Sequence, residues 1–130
     1  PYAHWITPTF VPKRFDTWFF LAEAPEDQIA LHDGSESTDS VWIGPQEAIE
    51  EAKAGKRTLV HATTKNLELL AEGKTVAGAI AAASARKIVT VLPWVEERDG
   101  KRFLHIPEGA GYRNIVREMP AGGGVPQTGR

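Results

Sequence analysis

The sequence predicts an α+β domain in which strands come first, helices follow and a hairpin comes last. Three observations support this prediction. The chain opens with two short segments rich in aromatic residues, continues with three helical patterns, and places an Asp-Gly pair between two strand-like segments near residue 100. Strands and helices that are segregated along a chain are typical of this fold class.

Two predicted strands open the chain. Residues 2–7 are aromatic and β-branched and stop before a proline, as a strand does. Residues 15–22 place Phe15, Thr17, Phe19 and Leu21 on one face and Trp18 and Phe20 on the other. A strand that is apolar on both faces needs a layer on each side, so we expect residues 15–22 in the middle of a sandwich.

A polar and acidic segment follows, and then three helices. Residues 24–40 predict a loop around a short strand at 29–32, and residues 41–43 predict a further short strand. The first predicted helix is 46–54, with Gly44 and Pro45 before it and Gly55 after it. The second is capped by Thr63 or Thr64 and runs to about Glu72, and the third, 76–85, is capped by Thr75. High alanine content would let the third helix lie close to whatever it packs against.

The last predicted element is a hairpin. Residues 88–97 and 101–106 are strand-like, and Asp99-Gly100 between them is a strong hairpin signal. Residues 119–130 are rich in Gly and Pro, which predicts a flexible tail after a domain at residues 1–118.

Composition excludes some classes of protein. The net charge is −2, which does not favour a nucleic-acid binder. The absence of cysteine excludes thiolate metal sites and fits a cytoplasmic location. No apolar run approaches the roughly 20 residues that span a bilayer. The chain begins at Pro1 rather than Met, so we expect it to be processed or to be part of a longer protein.

Several side chains are candidates for chemistry. The segment from Phe15 to Ala52 contains ten carboxylates and no Lys or Arg, which favours either a Mg²⁺ site or a solvated acidic surface. Arg14 could meet phosphate oxygens through a bidentate fork, whereas Asp16 could pair with Arg14 or hold a turn. The four histidines show no zinc-site spacing, so we interpret each as structural.

Taken in order, HWITP (residues 4–8), KRFDTWFFLA (13–22), an acidic loop and VWIGPQEAI (41–49) form a recognisable pattern. It resembles the region after the Nudix box in a subgroup of Nudix hydrolases that includes bacterial proteins and peroxisomal acyl-CoA diphosphatases. That subgroup shows approximately W-x-T-P, R-R-F-D-T-x-F-F, an acidic loop and W-x-x-P-x-E-A. TTKNLELLAEG (63–73) is similar to the segment that follows, so the resemblance covers most of the chain.

The resemblance implies an α/β/α sandwich around a mixed sheet, incomplete in this chain. It also implies hydrolysis of a nucleoside diphosphate-linked substrate, CoA-type compounds included, with Mg²⁺ or Mn²⁺ held by glutamates. Glu36 matches the position of an additional glutamate that helps with metal or water, and thus has an implied catalytic and metal-binding role. Arg14 and Asp16 match R-F-D-T and would line or brace the substrate side.

The catalytic motif of that family, G-x5-E-x7-R-E-U-x-E-E-x-G-U, is missing from this sequence. We therefore expect the chain to be a C-terminal portion that is inactive without an N-terminal half that carries this motif, the Nudix box. We call that part the box-bearing half. Either that half or a second copy of the chain would complete the sheet. The alternative is a Nudix-like binding or interaction domain without catalysis.

Overall fold

The computed structural model describes residues 1–27, 29, 31–36, 39–121 and 127–128, the last two by their backbone alone. Within these ranges the chain combines three helices with short antiparallel sheets, which confirms the α+β class.

The first sheet is a two-stranded antiparallel hairpin. Strand β1 (Ala3–Ile6) pairs with β2 (Asp16–Phe19) in a register that sets His4 opposite Trp18. The other edge of β1 meets Val91 in a parallel bridge, with hydrogen bonds of 2.8 and 2.9 Å. Strand β1 therefore lies between β2 and the segment around Val91.

The prediction that the second strand is central is wrong. Among the described residues β2 pairs with β1 alone, so it lies at the edge of its sheet. The exposed fractions of Phe15, Trp18 and Phe20 are 56%, 51% and 71%. The predicted alternation of faces is confirmed by the register, but neither face of the strand is fully covered.

Helix α1 (Pro45–Lys53) follows the prediction closely. Gly44 is its N-cap and Pro45 its first residue, where the missing N–H of proline costs no hydrogen bond. The chain leaves the helix through Gly55, whose φ of +79° suits glycine. Ala48, Ile49 and Ala52 are buried, so the glutamates between them belong to an ordinary amphipathic helix.

Helix α2 (His61–Leu70) begins earlier than predicted. Its N-cap is Val60, at the end of the short strand β3 (Leu59–Val60), and not Thr63 or Thr64. The Thr64 hydroxyl instead donates to the Val60 carbonyl oxygen at 3.2 Å, one turn back. The strand thus delivers the chain into the helix before either threonine is reached.

Helix α3 (Val76–Ala85) has the predicted bounds and the predicted cap. The Gly78 N–H donates to the Thr75 hydroxyl oxygen at 3.0 Å. A side chain at Gly73 would lie 3.2 Å from the β-carbon of Ala79, so the end of α2 and the start of α3 approach closely. None of the α3 residues is fully buried.

A three-stranded sheet contains the predicted hairpin. Strands β4 (Trp94–Arg98) and β5 (Lys101–His105) are joined by Asp99 and Gly100, which have φ of +51° and +75° as a two-residue hairpin turn requires. Strand β6 (Val116–Glu118) extends this sheet and was not predicted.

Two other predictions fall in less regular segments. Residues 41–43 form no strand, and Ile29, Leu31 and His32 lie outside the described strands, whereas Gln28 and Ala30 fall outside the described residues. Of the predicted tail, residues 122–126 and 129–130 are likewise outside them. Strand β7 (Gln127–Thr128) pairs with β3.

The main core cluster joins the first sheet to the segments around it. Its buried members are Tyr2, Ala3, Trp5, Val91, Ile106 and Ala110. Across the described part of the chain, every helix is too short or too polar to cross a bilayer.

Candidate functional site

One face of the β1–β2 hairpin carries a polar cluster around His4. The Nε2 atom of His4 lies 2.5 Å from Oδ1 of Asp16, and its Nδ1 atom lies 2.8 Å from the Thr90 hydroxyl. The ring stacks on Trp18, with 4.2 Å between the ring centroids. Both ring nitrogens are engaged, so the His4 ring is held in a fixed orientation.

At the loop end of the same hairpin, Thr7 joins the two strands. Its N–H donates to the Phe15 carbonyl oxygen at 3.0 Å, and its hydroxyl accepts from the Phe15 N–H at 3.0 Å. The Nε of Arg14 donates to the Thr7 carbonyl oxygen at 3.1 Å. This last contact anchors the guanidinium through Nε, and the terminal amino groups are the ones that form a bidentate fork with an anion.

The structure places two of the three predicted site residues together. Arg14 and Asp16 lie two residues apart on the hairpin, and both are exposed. Asp16 pairs with His4 rather than with Arg14, an arrangement that the sequence did not indicate. Glu36 is exposed in the loop at residues 31–36.

These residues do not fit a metal centre by themselves. Within the described ranges, no group of three or more His, Asp or Glu side chains is placed to hold a metal ion. The many carboxylates between Phe15 and Ala52 therefore do not converge on an ion, and several of them form local contacts instead, two of these on α1. Glu51 pairs with Arg57 at 2.6 Å, and Glu50 accepts from Gln46 at 3.3 Å.

The opposite face of the hairpin lines a cavity of about 360 Å³. Trp5, Phe15 and Phe19 form one wall, because these positions share a face in the observed register. His61 and Leu104 contribute from α2 and β5. The Lys13 ammonium also borders the cavity and lies 5.4 Å from the centre of the Phe15 ring.

His61 is the unusual polar group of this cavity. Its exposed fraction is 4%, and its Nδ1 atom is buried without a hydrogen-bond partner among the described residues. Burial above all, together with the positive charges of Lys65 and Arg117, lowers the pKa of His61 to about 4. The imidazole is therefore neutral at physiological pH.

A hydrogen-bonded chain supports the wall behind this cavity. The Trp5 indole N–H donates to the Tyr112 hydroxyl oxygen at 2.9 Å, and that hydroxyl donates to the Asn66 side-chain oxygen at 2.7 Å. Burial raises the pKa of Tyr112, so its hydroxyl stays protonated and able to donate. Trp5 is thus held rigidly, and its ring meets His61 edge-on with 6.0 Å between centroids.

Sequence reasoning missed this cavity. The histidines show no ligand spacing, so the sequence indicates a structural role for His61 and gives no sign of the cavity. Residues that line the cavity come from β1, β2, α2 and the β4–β5 hairpin region, so no local motif unites them. The only sequence signal was the alternation of aromatic residues in β2.

Comparison with models of known protein families, with curated proteins and with solved structures found no match for this chain.

Proposed function

We propose that this chain is the C-terminal portion of a metal-dependent Nudix hydrolase. The reaction would be hydrolysis of a nucleoside diphosphate-linked substrate, with CoA-type compounds as candidates, and a cytoplasmic setting is part of the proposal. The chain would supply one side of a Nudix-like α/β/α sandwich, and a box-bearing half would supply the other.

The observation that supports this proposal is the interlocking of two motif segments. HWITP and KRFDTWFF resemble separate parts of the family pattern, and they lie against each other as β1 and β2. The contacts use the motif residues themselves: His4 with Asp16, and Thr7 with both Arg14 and Phe15. A family keeps two separate motifs when their residues together form one surface, and contacts between the two motifs are then expected.

In this proposal Arg14 is the phosphate-binding group. Its Nε is anchored on the Thr7 carbonyl oxygen, so the guanidinium needs little reorganisation to meet an anionic oxygen pair. Asp16 acts through His4, which it holds in place on β1 opposite β2. Its role is to position the hairpin rather than to touch the substrate.

Mg²⁺ or Mn²⁺ would depend on glutamates of the box-bearing half, because the described residues offer no complete ligand set. Glu36 would contribute one additional carboxylate from its exposed loop. The position of this loop relative to Arg14 would then be set by the other half of the sandwich.

The open edge of β2 is consistent with such a second half. Phe15, Trp18 and Phe20, in and beside β2, are more than half exposed, and β2 pairs with one strand only among the described residues. Exposed apolar strand edges favour pairing with a further strand. A homo-oligomer would satisfy the same edge, and size-exclusion chromatography of the purified chain distinguishes a monomer from a dimer.

The first test is to read the coding sequence upstream of Pro1. A G-x5-E-x7-R-E run there supports the enzyme, whereas an unrelated domain supports the alternative of a non-catalytic Nudix-like binding domain. The second test incubates this chain alone with CoA, ADP-ribose and NADH in the presence of Mg²⁺ or Mn²⁺. We expect no phosphomonoester product, and turnover by the chain alone would contradict the half-enzyme model.

The longer protein, once it carries the box, allows a matched pair of variants. Glu36→Gln should lower kcat by about tenfold or more, since one carboxylate near the metal is lost. Glu23→Gln, in the same acidic segment, should leave kcat unchanged. Equal rates for the two variants would remove Glu36 from the proposed site.

A further inference from the structure

The first residues of the chain are held in a fixed position beside α3. The Tyr2 N–H donates to the Phe19 carbonyl oxygen at 2.7 Å, and the Tyr2 carbonyl oxygen accepts from the Arg86 guanidinium at 2.5 Å. The same guanidinium lies over the Tyr2 ring, 4.8 Å from the ring centre. Tyr2 has an exposed fraction of 7%, so these contacts fix the direction in which Pro1 points away from the core.

A groove begins at Pro1. It encloses about 340 Å³, and its apolar lining comes from three parts of the chain: Leu21 after β2, Ile80 and Ala83 of α3, and Ile88. Ser84 and Arg86 are its polar members. Because the Arg86 guanidinium is bound to Tyr2, the groove offers mainly apolar surface to an occupant.

The rest of α3 is also uncharged. The segment from Val76 to Ala85 contains no charged residue, none of its residues is fully buried, and 56% of Val76 is exposed. A helix that faces solvent usually carries charged or polar side chains on its outer side. The charges lie at the two ends of α3 instead, with Lys74 before it and Arg86 and Lys87 after it.

These flanking charges disfavour a second copy of the chain as the cover of α3. In a symmetric antiparallel pair centred on Ile80 and Ala81, Lys74 of each copy would lie opposite Lys87 of the other. Like charges that face each other across an interface oppose association. A segment joined to Pro1 needs no such pairing, and its covalent link keeps it at a high effective concentration beside the groove.

We propose that, in the longer protein, the residues immediately before Pro1 lie in this groove and continue along α3. The inference rests on the proposed function, in which this chain is a C-terminal portion and the polypeptide enters it at Pro1. Helix α3 has ten residues and is therefore about 15 Å long, which an extended segment of about five residues matches. At least one of these upstream residues is apolar and packs between Leu21 and Ile80.

Disulfide cross-linking in the longer protein tests the position of this segment. The chain contains no cysteine, and Ser84→Cys places a thiol in the groove with little change in size. Any cysteine of the upstream part is changed to serine, and a second cysteine is then placed in turn at each of about five residues before Pro1. Peptide mapping after mild oxidation should find a disulfide for at least one of these pairs, because the bond requires Cα atoms within about 7 Å. Ala54→Cys, at the exposed end of α1, is the control partner and should form none.

A second measurement uses the single-cysteine variants. Maleimide should alkylate Ser84→Cys about tenfold or more slowly in the longer protein than in the 130-residue chain alone, because the thiol reacts only when the segment opens. Ala54→Cys should react at the same rate in both. Failure of every cross-link, or an unchanged rate for Ser84→Cys, would overturn the inference.

Hydrolysis of a diphosphate substrate, measured in the same longer protein, separates the two proposals. Cross-linking without turnover would remove the proposed function alone, and turnover without cross-linking would remove this inference alone. A coding sequence that begins at Pro1 would overturn both.

Discussion

Acid sensitivity of the fold should depend on His61. Its ring is buried between Trp5 and the cavity, and the charges of Lys65 and Arg117 oppose a positive charge on it. Protonation would therefore place a third cation in a site that offers the imidazole Nδ1 no acceptor among the described residues. Replacement by phenylalanine keeps an aromatic ring in the site and removes the titrating group.

The magnitude follows from the shift in pKa. Folding lowers the pKa of His61 from 6.5 to about 4, and each unit corresponds to about 1.4 kcal/mol. Between these values the unfolded chain binds more protons than the folded chain, so the free energy of unfolding rises with pH. The contribution of His61 to the free energy of unfolding is fully present above about pH 6.5. It falls by about 3 kcal/mol as the pH decreases from there through about 4.

Urea denaturation followed by tryptophan fluorescence, at about pH 7 and about pH 4, measures this difference. We expect His61→Phe to lose about 3 kcal/mol less than the wild-type chain between the two pH values. The exposed residue His32 provides the control, since His32→Gln should keep the wild-type pH dependence. If His61→Phe and the wild-type chain lost the same free energy of unfolding between the two pH values, His61 would not be the cause of the acid sensitivity.

Three further predictions concern stability and use the same denaturation assay. Leu104→Ala should lower the free energy of unfolding by about 2–5 kcal/mol. Leu104 has an exposed fraction of 0%, so truncation of its side chain leaves a void in the core against β5. Thr75→Ala should cost about 1 kcal/mol through loss of the α3 cap, whereas Thr58→Ala at an exposed position outside the helices should have little effect. Gly100→Ala should cost about 1 kcal/mol, because φ of +75° disfavours a side chain, and Gly44→Ala, where φ is −71°, should cost less. A Gly44→Ala loss as large as that of Gly100→Ala would exclude backbone strain as the cause.

Part of the candidate site was predictable from the sequence. The R-F-D-T pattern indicated Arg14 and Asp16, and the structure places them on one hairpin. Their partners were not predictable, since His4 and Thr7 come from the preceding strand and the register decides which side chains meet. The role of Glu36 rests on the resemblance alone, and the structure places this residue at an exposed position.

The helices and the turn that are specified by neighbouring residues could be predicted from the sequence alone. Helices α1 and α3 begin and end at their cap residues, and the β4–β5 turn follows from Asp99-Gly100, because hydrogen bonds and φ preferences there involve neighbouring residues. The edge position of β2, the start of α2 at His61 and the cavity became evident from the folded chain alone. These features depend on packing between residues far apart in the chain, and hydrophobic pattern alone does not specify which surfaces meet.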